Sequence, residues 1–414
     1  MKQKIGILSL GCSRNLVDSE AISARLFRKG YSIVDIDKAD VALVNTCAFI
    51  KEAKQESIDV ILDLIDLKKR GKLKKIIVYG CLSQRYRAVL GRELPQIDAF
   101  VGKVSLDESA ERFAITPRHY AYLKICEGCV NSCSFCVIPK IKGKFVSLSA
   151  ASVLDKVDHF NRERISELNI IGQDITGYGS DFGEDAGLEK LLDKIIKRAG
   201  NIGWIRLLYL NPLRVSEGLL KAMRSHAKVC KYIDLPIQHI NSRILKEMGR
   251  KIIRDEVERV IERVRKLNPA AAIRTSVIVG FPGETEREFK ELLNFIKEAK
   301  FELLGAFKYS REEGTRAYHF KGQVPQAVKD ERFNRVMSLQ QEVSAEVNSG
   351  LLGRRLKVLV DEAENSNYTG RSEFDAPEVD GEVFIKSKKS LKPGDFAEVK
   401  ITDTLEYDLV GEVL

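Results

Sequence analysis

The 414-residue sequence has no uninterrupted apolar run long enough to cross a bilayer, which argues against a membrane-spanning helix, and no membrane partner is expected. It also lacks short internal repeats and low-complexity segments. With 44% hydrophobic and 31% charged residues, the composition argues against disorder or a fibre. The start, Met1-Lys2-Gln3-Lys4, leads straight into a strand-like run and not into a signal peptide, so the expected address is the cytoplasm. In such a chain the eight cysteines point to metal ligation or redox chemistry before disulfides. The formal charge of +9 hints at an RNA or ribosomal partner. Its distribution is uneven. From Leu351 onward nine basic residues face fourteen acidic ones, a net of about −5, which leaves about +14 for the rest. An acidic C-terminal unit would repel a phosphate backbone.

The length predicts two or three domains. Lys4–Leu10, Asp40–Cys47 and Lys75–Cys81 read as buried strands, and Lys51–Leu67 carries the helical stripe Ile58, Ile61, Leu62 and Ile65. That alternation predicts an N-terminal doubly wound parallel sheet. A second series of strands follows at Ala121–Cys126, Ser166–Gly172, Trp204–Leu210, Lys231–Pro236, Ile273–Phe281 and Leu303–Ser310, with helical patterns such as Arg254–Leu267 and Glu286–Ala299 between them. Six consecutive strand–helix units predict a central partial, TIM-like (β/α)6 barrel. After a helix at Arg332–Gly350, five short runs predict a small OB-like β-barrel: Leu356–Val360, Tyr368–Arg371, Glu382–Ile385, Phe396–Ile401 and Leu409–Val413. The fold class is therefore multidomain α/β.

The sharpest chemical signal is Cys129-Val-Asn-Ser-Cys133-Ser-Phe-Cys136, just after the first barrel strand. Structural zinc usually takes four ligands, and no fourth is obvious nearby. Three thiolates on a four-iron, four-sulfur cluster leave one iron open to a small molecule. A zinc site completed by Cys126 or a distant histidine is the competing reading. A second signal is dispersed. Cys12, Cys47 and Cys81 each sit at or just beyond the C-terminal end of a predicted parallel strand, the edge where ligands of such sheets gather. Chance burial of three free thiols is the alternative.

The first motif resembles the radical S-adenosylmethionine superfamily, in which the open iron is chelated by the cofactor's methionine part and reduction releases a 5′-deoxyadenosyl radical. The whole chain resembles its methylthiotransferase branch, which has an N-terminal domain with an auxiliary cluster, a radical barrel and a terminal TRAM barrel. The resemblance rests on Gly11-Cys12-Ser13-Arg14-Asn15-Leu16-Val17-Asp18-Ser19-Glu20, on Asn45-Thr46-Cys47-Ala48-Phe49-Ile50, on Tyr79-Gly80-Cys81-Leu82-Ser83-Gln84-Arg85-Tyr86, and on Gly370-Arg371 through Asp375-Ala376-Pro377-Glu378-Val379-Asp380-Gly381. These flanks resemble the members that modify an aspartate of a small-subunit ribosomal protein, more than the sister enzymes that modify tRNA.

The resemblance implies domains at 1–115, 116–349 and 350–414. It implies two 4Fe-4S clusters, on Cys12, Cys47 and Cys81 and on Cys129, Cys133 and Cys136, with S-adenosylmethionine as radical source and methyl donor. Phe135, Gln173, Gln238 and Arg274 would line the cofactor pocket, Arg274 pairing with the cofactor carboxylate. Each has a plainer reading as packing, cap or loop residue. The same holds for His239, and no residue stands out as a general acid or base. Three departures stand out. Cys126 replaces a usual serine, and a buried bystander is the expected role. Ile138-Pro139-Lys140-Ile141-Lys142-Gly143 has lysine where arginine is usual. Leu148 replaces another arginine. Cys230 reads as core.

The expected reaction adds a methylthio group to the β-carbon of an aspartate in a basic ribosomal protein, within the subunit or apart from it. An electron donor such as flavodoxin or ferredoxin and a sulfur donor are implied. The rivals are methylthiolation of tRNA beside the anticodon and a non-catalytic iron–sulfur or RNA-binding module.

Overall fold

The structure, a computed structural model, describes residues 3–109, 111–183, 187–364 and 367–414; Met1 and Lys2, part of the expected leaderless start, lie outside them. The N-terminal unit is built from β1 (Lys4–Ser9), α1 (Ser13–Arg28), β2 (Ser32–Val34), β3 (Val41–Thr46), α2 (Lys51–Lys69), β4 (Lys75–Gly80), α3 (Cys81–Glu93) and β5 (Ala99–Phe100). Its five strands are all parallel, in the order β2-β1-β3-β4-β5. Every residue of β3 is buried, as a central strand covered on both faces requires. The edge strands β2 and β5 are too short to show a pattern in the sequence.

The central unit begins with β6 (Tyr120–Lys124). A small hairpin of β7 (Cys126–Glu127) and β8 (Val146–Ser147) frames the first cysteine loop and α4 (Ile138–Lys142). Then come α5 (Ala150–Glu163), β9 (Glu167–Ile171), α6 (Leu188–Arg198), β10 (Trp204–Leu207), α7 (Glu217–Ser225), β11 (Tyr232–Asp234), α8 (Ser242–Glu247), α9 (Arg254–Leu267), β12 (Ala272–Val279), α10 (Glu286–Ala299), β13 (Leu303–Lys308) and α11 (Gln326–Ser349). The strands form two parallel triplets, β6-β9-β10 and β11-β12-β13. Backbone bonds join them: Cys230 N–H donates to Ile205 (2.9 Å) and Leu210 N–H to Asp234 (3.1 Å). The result is an open six-stranded barrel. Helix α11 starts six residues before the expected Arg332, because Pro325, with φ −59°, sets the turn that opens it.

Period-2 alternation gives each barrel strand two faces. Ala121, Leu123, Leu168, Ile170, Ile205 and Leu207 pack outward with the helices. Tyr120, Tyr122, Trp204 and Tyr232 point into the lumen. Leu16 and Val17 of α1, together with Leu359, Ala376 and Phe396 of the terminal unit, complete that inner cluster. The terminal unit is a closed barrel of β14 (Arg355–Glu364), β15 (Asn367–Ser372), β16 (Val383–Lys386), β17 (Phe396–Thr404) and β18 (Leu409–Val413), in the order β14-β15-β16-β18-β17. It meets the starts of the barrel strands, where Tyr120 donates to Glu378 (2.9 Å) and Tyr232 to Asp380 (2.7 Å). The N-terminal unit meets their ends.

Candidate iron–sulfur and substrate site

Cys12 follows β1, Cys47 follows β3 and Cys81 follows β4, and these three strands are neighbours. The dispersed cysteines therefore stand at one sheet edge. Asn15, in the first turn of α1, ties the three ends together. Its Nδ2 donates to the carbonyls of Leu10 (2.9 Å) and Thr46 (3.3 Å), and its Oδ1 accepts from Cys81 Sγ (3.8 Å). The backbone approach is close. Gly11 has φ +88°, and a Cβ there would lie 2.7 Å from Cys47 Cβ and 3.0 Å from its sulfur. Glycine is required at this position.

The three thiols feel one another. Burial pushes Cys47 up, and the neighbouring Cys12 adds to it. Burial pushes Cys81 up to about 12, with Lys142 opposing. Burial also acts on Cys12, but Arg14 and the first-turn N–H groups outweigh it, and its thiol is the one held below the ordinary range.

The second trio lies on the loop between β7 and α4. Cys136 N–H donates to Cys133 (3.3 Å), and Asn131 Nδ2 donates to Cys129 Sγ (3.2 Å). The loop is clamped to the far side of the barrel: Ser134 N–H donates to Met248 (2.8 Å), and Ser134 Oγ to Glu247 (2.7 Å). Arg250 places Nη1 3.9 Å from Cys133 Sγ while Nη2 donates to Pro236 (2.9 Å). Burial pushes Cys129 up and Cys136 to about 12. All three are only half-buried, so the loop keeps an open side.

The donor chemistry of both trios fits a sulfur-ligated cluster with one iron left free. All eight cysteines are unpaired thiols, and among the described residues no three Cys, His, Asp or Glu side chains are gathered tightly enough for a single metal ion. Burial raises Cys47, Cys81, Cys129 and Cys136 of the two trios, so binding has to draw their protons off. Cys126 is fully buried, with Sγ 3.8 Å from the Asp174 carbonyl, and Cys230 is buried beside Arg206. Both behave as core.

The remaining expected pocket residues diverge. Gln173 Nε2 donates to Glu127 (2.9 Å), while its Oε1 is buried and unpartnered. Gln238 adopts φ +72°, its N–H on Ser276. Phe135 packs with Ile244, Met248, Phe281 and Tyr309. His239 accepts from Asn241 N–H (2.9 Å) and faces Glu284, a loop role. Arg274 does not meet either trio. It is the third residue of β12, and its Nε donates to Asp380 (3.0 Å) with Asp234 3.6 Å away. The expected pairing with a cofactor carboxylate gives way to a partner from the terminal barrel.

Between the trios lies a buried network that sequence reading missed. Lys124 contacts Asp18 and Glu127 (2.7 Å), and Lys142 contacts Asp18 (3.3 Å) and Glu127 (3.1 Å). Burial alone would raise Glu127, but Lys124 and Lys142 pull it down to about 2. The two lysines balance the two carboxylates, so α1 is charge-matched to the barrel. Lys142 comes from the stretch that has lysine where arginine is usual.

Three family models match the chain: the radical SAM superfamily over residues 123–296, an uncharacterized protein family over 4–102 and the TRAM domain over 352–414. Curated relatives span it end to end. "Ribosomal protein uS12 methylthiotransferase RimO" of Thermoanaerobacter sp. (strain X514) is 44% identical, covering 99% of this chain and 100% of the relative. The same-named protein of Geobacter sulfurreducens is 43% identical over 100% and 99%. This chain belongs to the RimO methylthiotransferase family. It is a radical S-adenosylmethionine enzyme whose family cofactors are S-adenosylmethionine and two 4Fe-4S clusters. Among solved structures, the radical S-adenosylmethionine methyltransferase TsrM of Kitasatospora setae superimposes with a TM-score of 0.55 at 12% identity, over 88% of this chain and 82% of that one. That likeness shows the fold alone.

Proposed function

We propose that this enzyme adds a methylthio group to the β-carbon of an aspartate in ribosomal protein uS12, the protein named for its relatives. The observation that supports the reading is that Arg14, bonded across the joint to Gly172, acts on Cys47 of the trio at the ends of β1, β3 and β4 and on Cys136 of the trio on the loop after β7. In this reading Cys129, Cys133 and Cys136 hold the radical-generating cluster, and Cys12, Cys47 and Cys81 hold the auxiliary one. When bound, these groups and S-adenosylmethionine supply the radical that removes hydrogen, the sulfur and the methyl group.

The chain's own residues orient and enclose. Asn15 and Gly11 fix the first trio's backbone, and Arg250 and Asn131 fix the second loop. Phe135, Gln173 and Gln238 are assigned to the cofactor pocket, Gln173 through its unpartnered Oε1. Arg274 is assigned to holding the terminal barrel. Units at 1–115, 116–349 and 350–414 divide the work into sulfur delivery, radical formation and substrate docking. The net charge of about −5 on the last unit suits a basic protein better than tRNA.

No helix among the described residues is long and apolar enough to cross a membrane, in keeping with work in the cytoplasm beside ribosomes. A flavodoxin or ferredoxin and a sulfur donor complete the system. Anaerobic reconstitution should give about eight irons per chain. Reduced enzyme should then form deoxyadenosine and a methylthio mark on a uS12 peptide. A mark on tRNA with the peptide mass unchanged would overturn the substrate, and about four irons would overturn the two-cluster reading.

A further inference from the structure

Arg14 stands in the first turn of α1, two residues after Cys12. Its Nε donates to Cys12 Sγ (3.4 Å), and its Nη1 donates to the Gly172 carbonyl at the end of β9 (2.9 Å). Its guanidinium carbon lies 4.5 Å from the centroid of the Tyr209 ring. One side chain is thus gripped by both units. Its charge also reaches Cys47 of the first trio and Cys136 of the second.

Tyr209 lies just past β10, in the left-handed region at φ +64°. A non-glycine residue persists there only when its surroundings hold it, and such strain gathers at functional positions. Here Tyr209 N–H donates to Asp234 Oδ2 (2.7 Å), and its carbonyl accepts from Ile175 N–H (3.2 Å). The strained turn presents the ring to Arg14.

The other cations of this joint are committed. Lys124 and Lys142 face Asp18 and Glu127, Arg214 contacts Asp174 and Asn131, and Arg250 is engaged by Cys133 Sγ and the Pro236 carbonyl. Arg14 pairs with no carboxylate among the described residues. The side chain is half-buried, and its hydrogen bonds there run through Nε and Nη1, none through Nη2. Both N–H groups of Nη2 are free for a charge-assisted bond to a carboxylate.

Resting on the aspartate reading above, we propose that Arg14 receives the side-chain carboxylate of the substrate aspartate on Nη2 and so holds the β-carbon in the gap between the two cysteine trios. An aspartate brings an anion to a site already rich in thiolate. A fixed guanidinium offsets that repulsion and separates aspartate from its neutral isostere asparagine. Arg14 is a substrate-positioning residue in this assignment, and its stacking on Tyr209 sets the reach.

The test uses reconstituted enzyme, the Arg14→Met and Arg14→Lys variants, and two uS12 peptides that differ only in aspartate or asparagine at the target. Wild type should favour the aspartate peptide. Arg14→Met should raise its KM at least about tenfold, erase the preference over asparagine and leave the KM for S-adenosylmethionine unchanged. Arg14→Lys should restore part of the preference. Iron should stay near eight per chain. An intact preference in Arg14→Met overturns the assignment. So does a rise confined to the S-adenosylmethionine KM, which would hand Arg14 to the cofactor's carboxylate, or a fall to about four irons, which would make it a support of the first trio. If wild type modifies neither peptide, the substrate reading itself fails and takes this assignment with it.

Discussion

Arg371 of the terminal barrel stands 2.7 Å from Glu167 of the central barrel, and both side chains are almost wholly shielded from water. Glu167 is shared with Arg206, 2.8 Å away, and Arg371 also grips Asp361 through Nε (2.8 Å) and Nη2 (2.9 Å). One carboxylate therefore sits between two buried guanidiniums at the joint of two units. Burial alone would raise Glu167, yet Arg371 and Arg206 outweigh it and hold it below the ordinary carboxylate range.

This arrangement sets an order of mutational cost. Arg371→Met leaves Glu167 paired with Arg206. Glu167→Gln leaves Arg206 without a carboxylate partner and should cost more, about 3–5 kcal/mol, because an uncompensated buried charge remains. Urea unfolding of both variants checks it. A larger loss from Arg371→Met than from Glu167→Gln would contradict the ordering.

Gly80 precedes Cys81 at φ +96°, and a Cβ there would come within 2.2 Å of Asn45 Oδ1 and 2.8 Å of the Thr46 carbonyl. Neither neighbour is free to move. Thr46 Oγ1 donates to the Tyr79 carbonyl (2.7 Å), and Asn45 Nδ2 donates to the Asn15 carbonyl (2.7 Å). Gly80→Ala should therefore displace Cys81 and lower reconstituted iron from about eight toward about four per chain, while deoxyadenosine formation persists. Iron unchanged at about eight would show that the turn yields without moving the thiol.

The parallel strands and the positions of the cysteines at their ends were legible because apolar runs and turn glycines are local signals. The open barrel was legible for the same reason. What escaped were the partnerships over long sequence separations. Asp18 and Lys142 are 124 residues apart, and Arg371 and Glu167 are linked only by the docking of two finished units. No periodicity encodes such pairs. Arg274 shows the cost: it sits on a barrel strand as expected, but Asp380, 106 residues later, decides where its guanidinium goes. Arg14 belongs to the Gly11–Glu20 motif, and only the fold brings it to Tyr209 and Gly172.

The network under α1 makes its own prediction. Asp18 is held by Lys124 and Lys142, and Glu127 by the same two lysines. Asp18→Asn leaves one buried carboxylate for two buried ammonium groups. The excess charge should loosen the contact between α1 and the barrel, with a loss on the order of 3 kcal/mol. Adding Lys142→Met should recover part of it, since the remaining Lys124–Glu127 pair is balanced. Thermal unfolding of the single and double variants checks this. A double variant less stable than Asp18→Asn alone would mean that shape, and not charge balance, governs the joint.

Asp375, in the segment that follows β15, carries the pH-dependent prediction. Burial pushes its carboxyl up to about 7, the nearby Asp380 adds to the rise, and the Ser372 hydroxyl and N–H donors oppose it. A folded-state value above the unfolded one means that the protonated form is favoured in the fold. Stability from this group is then fully present below about pH 4 and is lost as pH rises to about 7, beyond which the loss levels off. Asp375→Asn keeps an oxygen for the Ser372 donors and removes the charge. Relative to wild type, the variant should gain about 1 kcal/mol between pH 6 and pH 8. Urea midpoints at the two pH values read this directly. A difference between variant and wild type that does not change with pH would mean that Asp375 is already ionised in the folded protein.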